Sequence, residues 1–133
     1  MTRSLFVTGC LSGAISVIAG AFGAHSLRAV LSPGMLELFE TASRYQMYHA
    51  LALLALSCVS GFLDKINPVL LATATWGFVG GTLLFSGSLY AFALTEARWL
   101  VFLTPIGGVS FIAGWLAAAA IMWRTRTGGR GNS

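Results

Sequence analysis

The sequence predicts an all-α, polytopic membrane protein: a four-helix bundle with an amphipathic interfacial segment between its first and second spans. Three observations lead there. Hydrophobic residues make up 56% of the 133 and charged residues only 9%, far below the roughly 25% that a soluble domain uses to cover its surface. The apolar residues fall in long runs separated by short polar joints. The runs contain no Asp, Glu, Lys or Arg, which collect at the joints and in the C-terminal tail. The length suits a single domain.

The net charge of +4 and pI near 9.7 suggest nucleic acid until the basic residues are located. Arg124, Arg126 and Arg130 directly follow the last apolar run, where anchoring charges stand in a membrane protein. The expected partner is the lipid bilayer, and nucleic acid is not expected.

Span one, 5–24, holds nothing more polar than Thr8, Ser12 and Ser16, and a helix crosses the hydrocarbon core in about 20 residues. It is too long for the ~7 to 15 residues of a secretory signal core and has only Arg3 as leader charge, so it is expected to be retained. Val7-Thr8-Gly9-Cys10 resembles a lipoprotein processing site, but only Ser4, Leu5 and Phe6 separate it from Arg3, and lipidation is not expected. Gly9, Gly13, Ser16, Gly20 and Gly23 recur at helical spacing, a small-residue stripe that lets a neighbouring backbone come close.

Past His25, Ser32-Pro33-Gly34 forms a turn in which Ser32 caps a new helix and Pro33 presets its first φ. Glu37, Glu40 and Arg44 then share one side, and Leu36, Phe39 and Ser43 another. This is the segment expected at the headgroup boundary, running on into span two. Span two, 45–63, is strictly apolar only from Ala50. It reaches crossing length by counting Tyr45 to His49, which puts Tyr45 and Tyr48 at headgroup depth and His49 just inside.

Asp64-Lys65 ends span two, and Asn67-Pro68 caps span three, 68–94, which carries Gly77, Gly81 and Ser88 as small packing positions. Glu96 and Arg98 mark the next joint. Span four, 99–123, is interrupted by Thr104-Pro105-Ile106-Gly107-Gly108: either the helix starts at Pro105 with Thr104 as cap, or it bends there. Gly107 and Gly114 are further small packing positions. The basic tail, 124–133, is expected to be irregular. Four spans put both termini on one side with Arg3, Lys65, Arg124, Arg126 and Arg130, against Arg28, Arg44 and Arg98 opposite, so the termini are expected in the cytoplasm of an inner (plasma) membrane protein.

The charge-free spans lack the usual carriers of ion coupling and proton relay. What remains is one polar end, His25, Tyr45, Tyr48, His49, Glu96, Arg98 and Thr104, which an up-and-down bundle brings to the face opposite the termini. Two imidazoles on adjacent helices suit a metal ion, a haem iron or proton exchange. Two ligands fall short of the three or four that zinc takes, and anchoring at the interface is the weightier reading, with no metal and no cofactor expected. Cys10 and Cys58 read as small apolar fillers, and Trp76, Trp99, Trp115 and Trp123 as interface aromatics.

Four ordered motifs carry a resemblance. Gly20-Ala21-Phe22-Gly23-Ala24-His25, then Phe39-Glu40-Thr41-Ala42 leading to Tyr45-Gln46-Met47-Tyr48-His49-Ala50-Leu51, then Phe85-Ser86-Gly87-Ser88-Leu89-Tyr90, then Arg98-Trp99 with Thr104-Pro105-Ile106-Gly107-Gly108, together resemble the YgdD and transmembrane protein 256 family. The resemblance implies a small, mostly four-span membrane protein and supplies no catalytic residues. The expected function is non-enzymatic: a self-associating bundle or a small accessory subunit of a membrane complex. The alternative is ligand, metal or haem binding, or small-solute passage, at His25 and His49.

Overall fold

The computed structural model describes residues 2–127, with side chains as far as Arg124; the rest of the basic tail, Arg130 included, lies outside the described residues. Four helices account for most of it. Helix α1 is Thr2–Ala24 and α2 is Pro33–Phe62. Helix α3 is a rod over Pro68–Thr95 with a five-residue π turn, Thr82–Ser86, in its middle. Helix α4 is Leu103–Thr127, entered through a 3₁₀ turn at Arg98–Phe102.

Local chemistry sets the helix starts. The Ser32 hydroxyl accepts from the Met35 N–H at 3.4 Å, with Pro33 at the first helical position. The Asn67 side chain accepts from Val69 and Leu70 at 2.9 and 3.3 Å, ahead of Pro68. Such caps occupy N–H groups that the first turn leaves without a helical partner. Helix α3 stops where Glu96 turns to φ 55°, ψ 19°, and its N–H reaches Phe92 O at 2.8 Å. A non-glycine residue holds that left-handed geometry at a cost of about 1 to 2 kcal/mol.

Helices α1 and α2 pack side by side, α3 and α4 form a second pair, and α2 joins the pairs through its contacts with the second half of α3. In the first pair Gly9 abuts Leu54 and Ala50, Gly13 abuts Ala50 and Met47, Gly20 meets Ser43, and Gly23 meets Phe39. Ser16 and Ser43 clamp the pair reciprocally, each hydroxyl donating to the other's carbonyl at 2.7 and 3.0 Å. In the second pair Gly77 lies on the Gly114 backbone, Gly81 on the Phe111 ring, and Gly107 on the Phe85 backbone at the π turn. Ser110 donates to Gly77 O at 3.1 Å, and the Ser88 and Thr104 hydroxyls meet at 2.8 Å.

The core has two halves. Toward the Thr2 end it is apolar, with Leu5, Leu53, Leu56, Leu71, Ala74, Phe78 and Ile121 packed together. Toward the other end it is held by the serine, glutamine and tyrosine hydrogen bonds. Large apolar side chains point outward, Leu83 at 70% and Leu116 at 67% exposure, while Gln46 and His49 are 6% and 4% exposed. That is the reverse of a water-soluble protein and the arrangement lipid requires, since hydrocarbon solvates apolar surface and leaves polar groups to find partners inside.

Among the described residues, three helical stretches are long and apolar enough to cross a membrane, Thr2–Ala29, Pro68–Thr95 and Arg98–Arg124. Helix α2, at 30 residues, is long enough, but Tyr45, Gln46, Tyr48 and His49 dilute its apolar character. The amphipathic segment runs on into span two as the sequence expected, Pro33–Phe62 being one unbroken helix, and its Phe39 and Ser43 pack on α1. Helix α4 starts at Leu103, so Pro105 falls in its first turn, where no helical donor is lost, and Thr104 bonds Ser88 rather than capping. The helix also runs on past Trp123 to Thr127. Cys10 and Cys58 are exposed on outer helix faces, not buried as fillers.

Candidate functional site

Depth is the first thing the packing decides. Ser57 donates to Thr2 O at 2.8 Å, and Gly23 meets Phe39, so α1 and α2 run antiparallel with the middle of α1 against Met47 and Ala50. His49 also contacts Phe78 in α3 and Phe111 in α4. The imidazole therefore sits at the mid-level of the bundle. Counting apolar residues missed this because 33–44, although polar, is spent on packing against α1.

The residues expected at one polar end are divided. His25, Glu96 and Arg98 are exposed at the end opposite Thr2. Thr104 is half-buried against Ser88, whereas Tyr45, Tyr48 and His49 lie deeper along α2. His25 stands beyond Gly23, which is level with Phe39, and Phe39 and His49 are about 15 Å apart along the helix at about 1.5 Å per residue. The two imidazoles share no site.

His49 is fully engaged. Trp115 Nε1–H donates to its Nε2 at 3.2 Å, and its Nδ1 lies 2.7 Å from Tyr45 O. An indole N–H can only donate, so Nε2 accepts and Nδ1 carries the proton. The ring also stacks face to face on Phe111, centroids 3.4 Å apart and planes within 5°. A metal would need the lone pair that Trp115 occupies, and among the described residues no three His, Cys, Asp or Glu side chains come together.

Gln46, one turn before Ala50, ties three helices. Its Nε2 donates to Ser12 O in α1 at 3.2 Å, and its Oε1 accepts from the Tyr90 hydroxyl in α3 at 2.8 Å. Tyr90 in turn packs on Phe39, centroids 4.7 Å apart. Ser86, buried at the end of the π turn, is the one buried polar side chain without a partner among the described residues. The sequence placed Trp115 among the interface aromatics, whereas it bonds His49, and it assigned no site role to Gln46, Tyr90 or Phe111. An amide inside an otherwise apolar run was a signal for Gln46; nothing in the chain order marked Trp115, whose partner lies in another helix.

Two open depressions flank α2. One, between α1 and α3, is lined by Thr8, Ser12, Gln46, Val79 and Thr82. The other, between α2 and α4, is walled by Tyr45, Tyr48, His49, Phe85, Phe111 and Trp115. At the exposed end, Arg28, Glu37 and Glu40 border a third.

A bundle with its polar groups spent inside and its large apolar side chains outside is a small helical integral membrane protein. The chain belongs to the family described as Protein of unknown function (DUF423), which matches residues 19–108. It is 45% identical over 114 residues to a UPF0382 membrane protein of Staphylococcus epidermidis, covering 86% of this chain and 90% of that one. It is 38% identical over 114 residues to the UPF0382 membrane protein YwdK of Bacillus subtilis, covering 86% and 91%. The same identity holds for the UPF0382 inner membrane protein YgdD of Escherichia coli K12, covering 86% and 85%, so the motif resemblance to YgdD is a family relationship. No solved structure matches.

Proposed function

We propose that the chain is a non-enzymatic, four-span accessory subunit of a membrane complex, with both termini in the cytoplasm. The observation that carries this reading is that the polar side chains of the bundle's middle, Gln46, His49, Ser16, Ser43 and Tyr90, are spent on other parts of the same bundle. They hold helices together, which leaves the outer surface as the part that acts. Four crossings are supported by α2 lying along α1 from Phe39 to Ser57, since a helix packed over that length shares its neighbour's depth. Arg3, Lys65 and Arg124 at the terminal end support the orientation.

The glycine stripes, which suggested self-association in the sequence, face inward: those of α1 meet α2, and those of α3 and α4 meet each other. This favours the accessory role over the self-associating one. The rival reading, a ligand, metal, haem or solute site shared by His25 and His49, is weakened by their separation and by the Trp115 N–H on Nε2. Native mass spectrometry of the protein released in mild detergent from its own membrane tests the proposal. A defined assembly with a second polypeptide at fixed stoichiometry is expected. A bare monomer contradicts it, and a homo-oligomer replaces it with self-association.

A further inference from the structure

We propose that the groove between α2 and α4 binds the ring of a membrane-soluble quinone, the Tyr45 and Tyr48 hydroxyls donating to its carbonyl oxygens. This goes beyond the accessory role and rests, of that reading, only on α2 crossing the bilayer. The groove has a volume of about 580 Å³, within the roughly 300 to 1,000 Å³ typical of small-molecule sites. Tyr48 and Trp115 at its sides are 53% and 52% exposed, so it opens sideways toward lipid. Its floor is rigid, because His49 is stacked on Phe111 and bonded at both ring nitrogens. Tyr45 lies across Phe85, centroids 4.7 Å apart. Flat aromatic walls suit a flat ring, by offset or edge contacts.

The donors select among flat and apolar occupants. Neither the Tyr45 nor the Tyr48 hydroxyl has a hydrogen-bond partner among the described residues, whereas Tyr90 has Gln46. Tyr45 opens and Tyr48 nearly closes the helical turn that ends in His49, at the middle level of the bundle, where water is scarce and an unpaired donor is costly. An acyl chain offers no acceptor. A sterol carries its single hydroxyl at the headgroup layer. A quinone brings carbonyl oxygens on an apolar ring into the hydrocarbon.

The test uses the full chain in phosphatidylcholine nanodiscs titrated with decylubiquinone, binding read by tryptophan quenching and by adduct mass. Tyr45→Phe with Tyr48→Phe keeps both rings and removes both donors. Gly108 also lines the groove; Gly108→Leu fills it, and a Cβ there meets nothing nearer than Phe85 Cδ2 at 4.0 Å, so the branch starts without touching the backbone of the helix pair. Saturable binding is expected, weakened about tenfold in the tyrosine double variant, as two net hydrogen bonds imply, and abolished in Gly108→Leu, with unchanged thermal midpoints. No saturable binding, or equal affinity in the tyrosine double variant, overturns the proposal. Equal displacement by decane also overturns it, assigning the groove to acyl chains.

Discussion

Gly77→Leu is expected to destroy the packing of α3 on α4, with a loss of about 3 kcal/mol or more. A Cβ at residue 77 would stand 2.6 Å from Gly114 Cα, 2.7 Å from its N and 2.9 Å from Ser110 O. All three are backbone atoms, so no rotamer change relieves the clash and the helices must separate. Overpacking usually costs about 1 to 3 kcal/mol where side chains can shift, and this site has none to shift. Separation would also break the Ser110 bond to Gly77 O. Gly87→Ala is the matched control: nothing lies within 4 Å of its Cβ position and its φ is −60°, so it should stabilise the helix by up to about 1 kcal/mol. Thermal unfolding in detergent, with size-exclusion profiles, measures both. A Gly77→Leu protein that stayed monodisperse with an unchanged midpoint would show that α3 and α4 do not meet backbone to backbone.

His49→Ala should cost about 3 kcal/mol. It removes a ring stacked between Phe111 and the Tyr45 side of α2, leaving a cavity, and strips the Trp115 N–H of its acceptor. Trp115→Phe keeps an aromatic ring and removes only the donor. Its effect should not add to that of His49→Ala, and the double-mutant cycle should show a coupling of about 1 kcal/mol, within the range found for interhelical hydrogen bonds in membranes. Chemical unfolding of the four proteins in the same detergent gives the cycle. Additive effects would mean that the two side chains do not bond.

The sequence carried the helix ends well, because they are written in local chemistry: Ser32-Pro33 and Asn67-Pro68 need only their own neighbours to start a helix. The membrane class was legible from composition, and the family from four motifs. Depth was not legible. Reading 33–44 as an amphipathic segment left its packing partner unnamed, whereas Phe39 and Ser43 are pressed on α1 by Gly23, Gly20 and Ser16. That packing sets His49 at the middle level of the bundle, apart from His25. The π turn at Thr82–Ser86 was likewise invisible; it coincides with the close approach of Gly107 to Phe85, a contact between distant parts of the chain.

The central claim is that α2 crosses the bilayer with Gln46 and His49 at mid-depth. Single cysteines at Ser32 and Asp64, placed in a chain whose Cys10 and Cys58 are replaced by alanine, bracket that helix. Labelling of intact cells and of inverted vesicles with a membrane-impermeant maleimide tests it most directly. Ser32→Cys should react from the outside only and Asp64→Cys from the cytoplasmic side only. Labelling of both from the same side would mean that Pro33–Phe62 does not cross, and the account of its polar centre would fall with it.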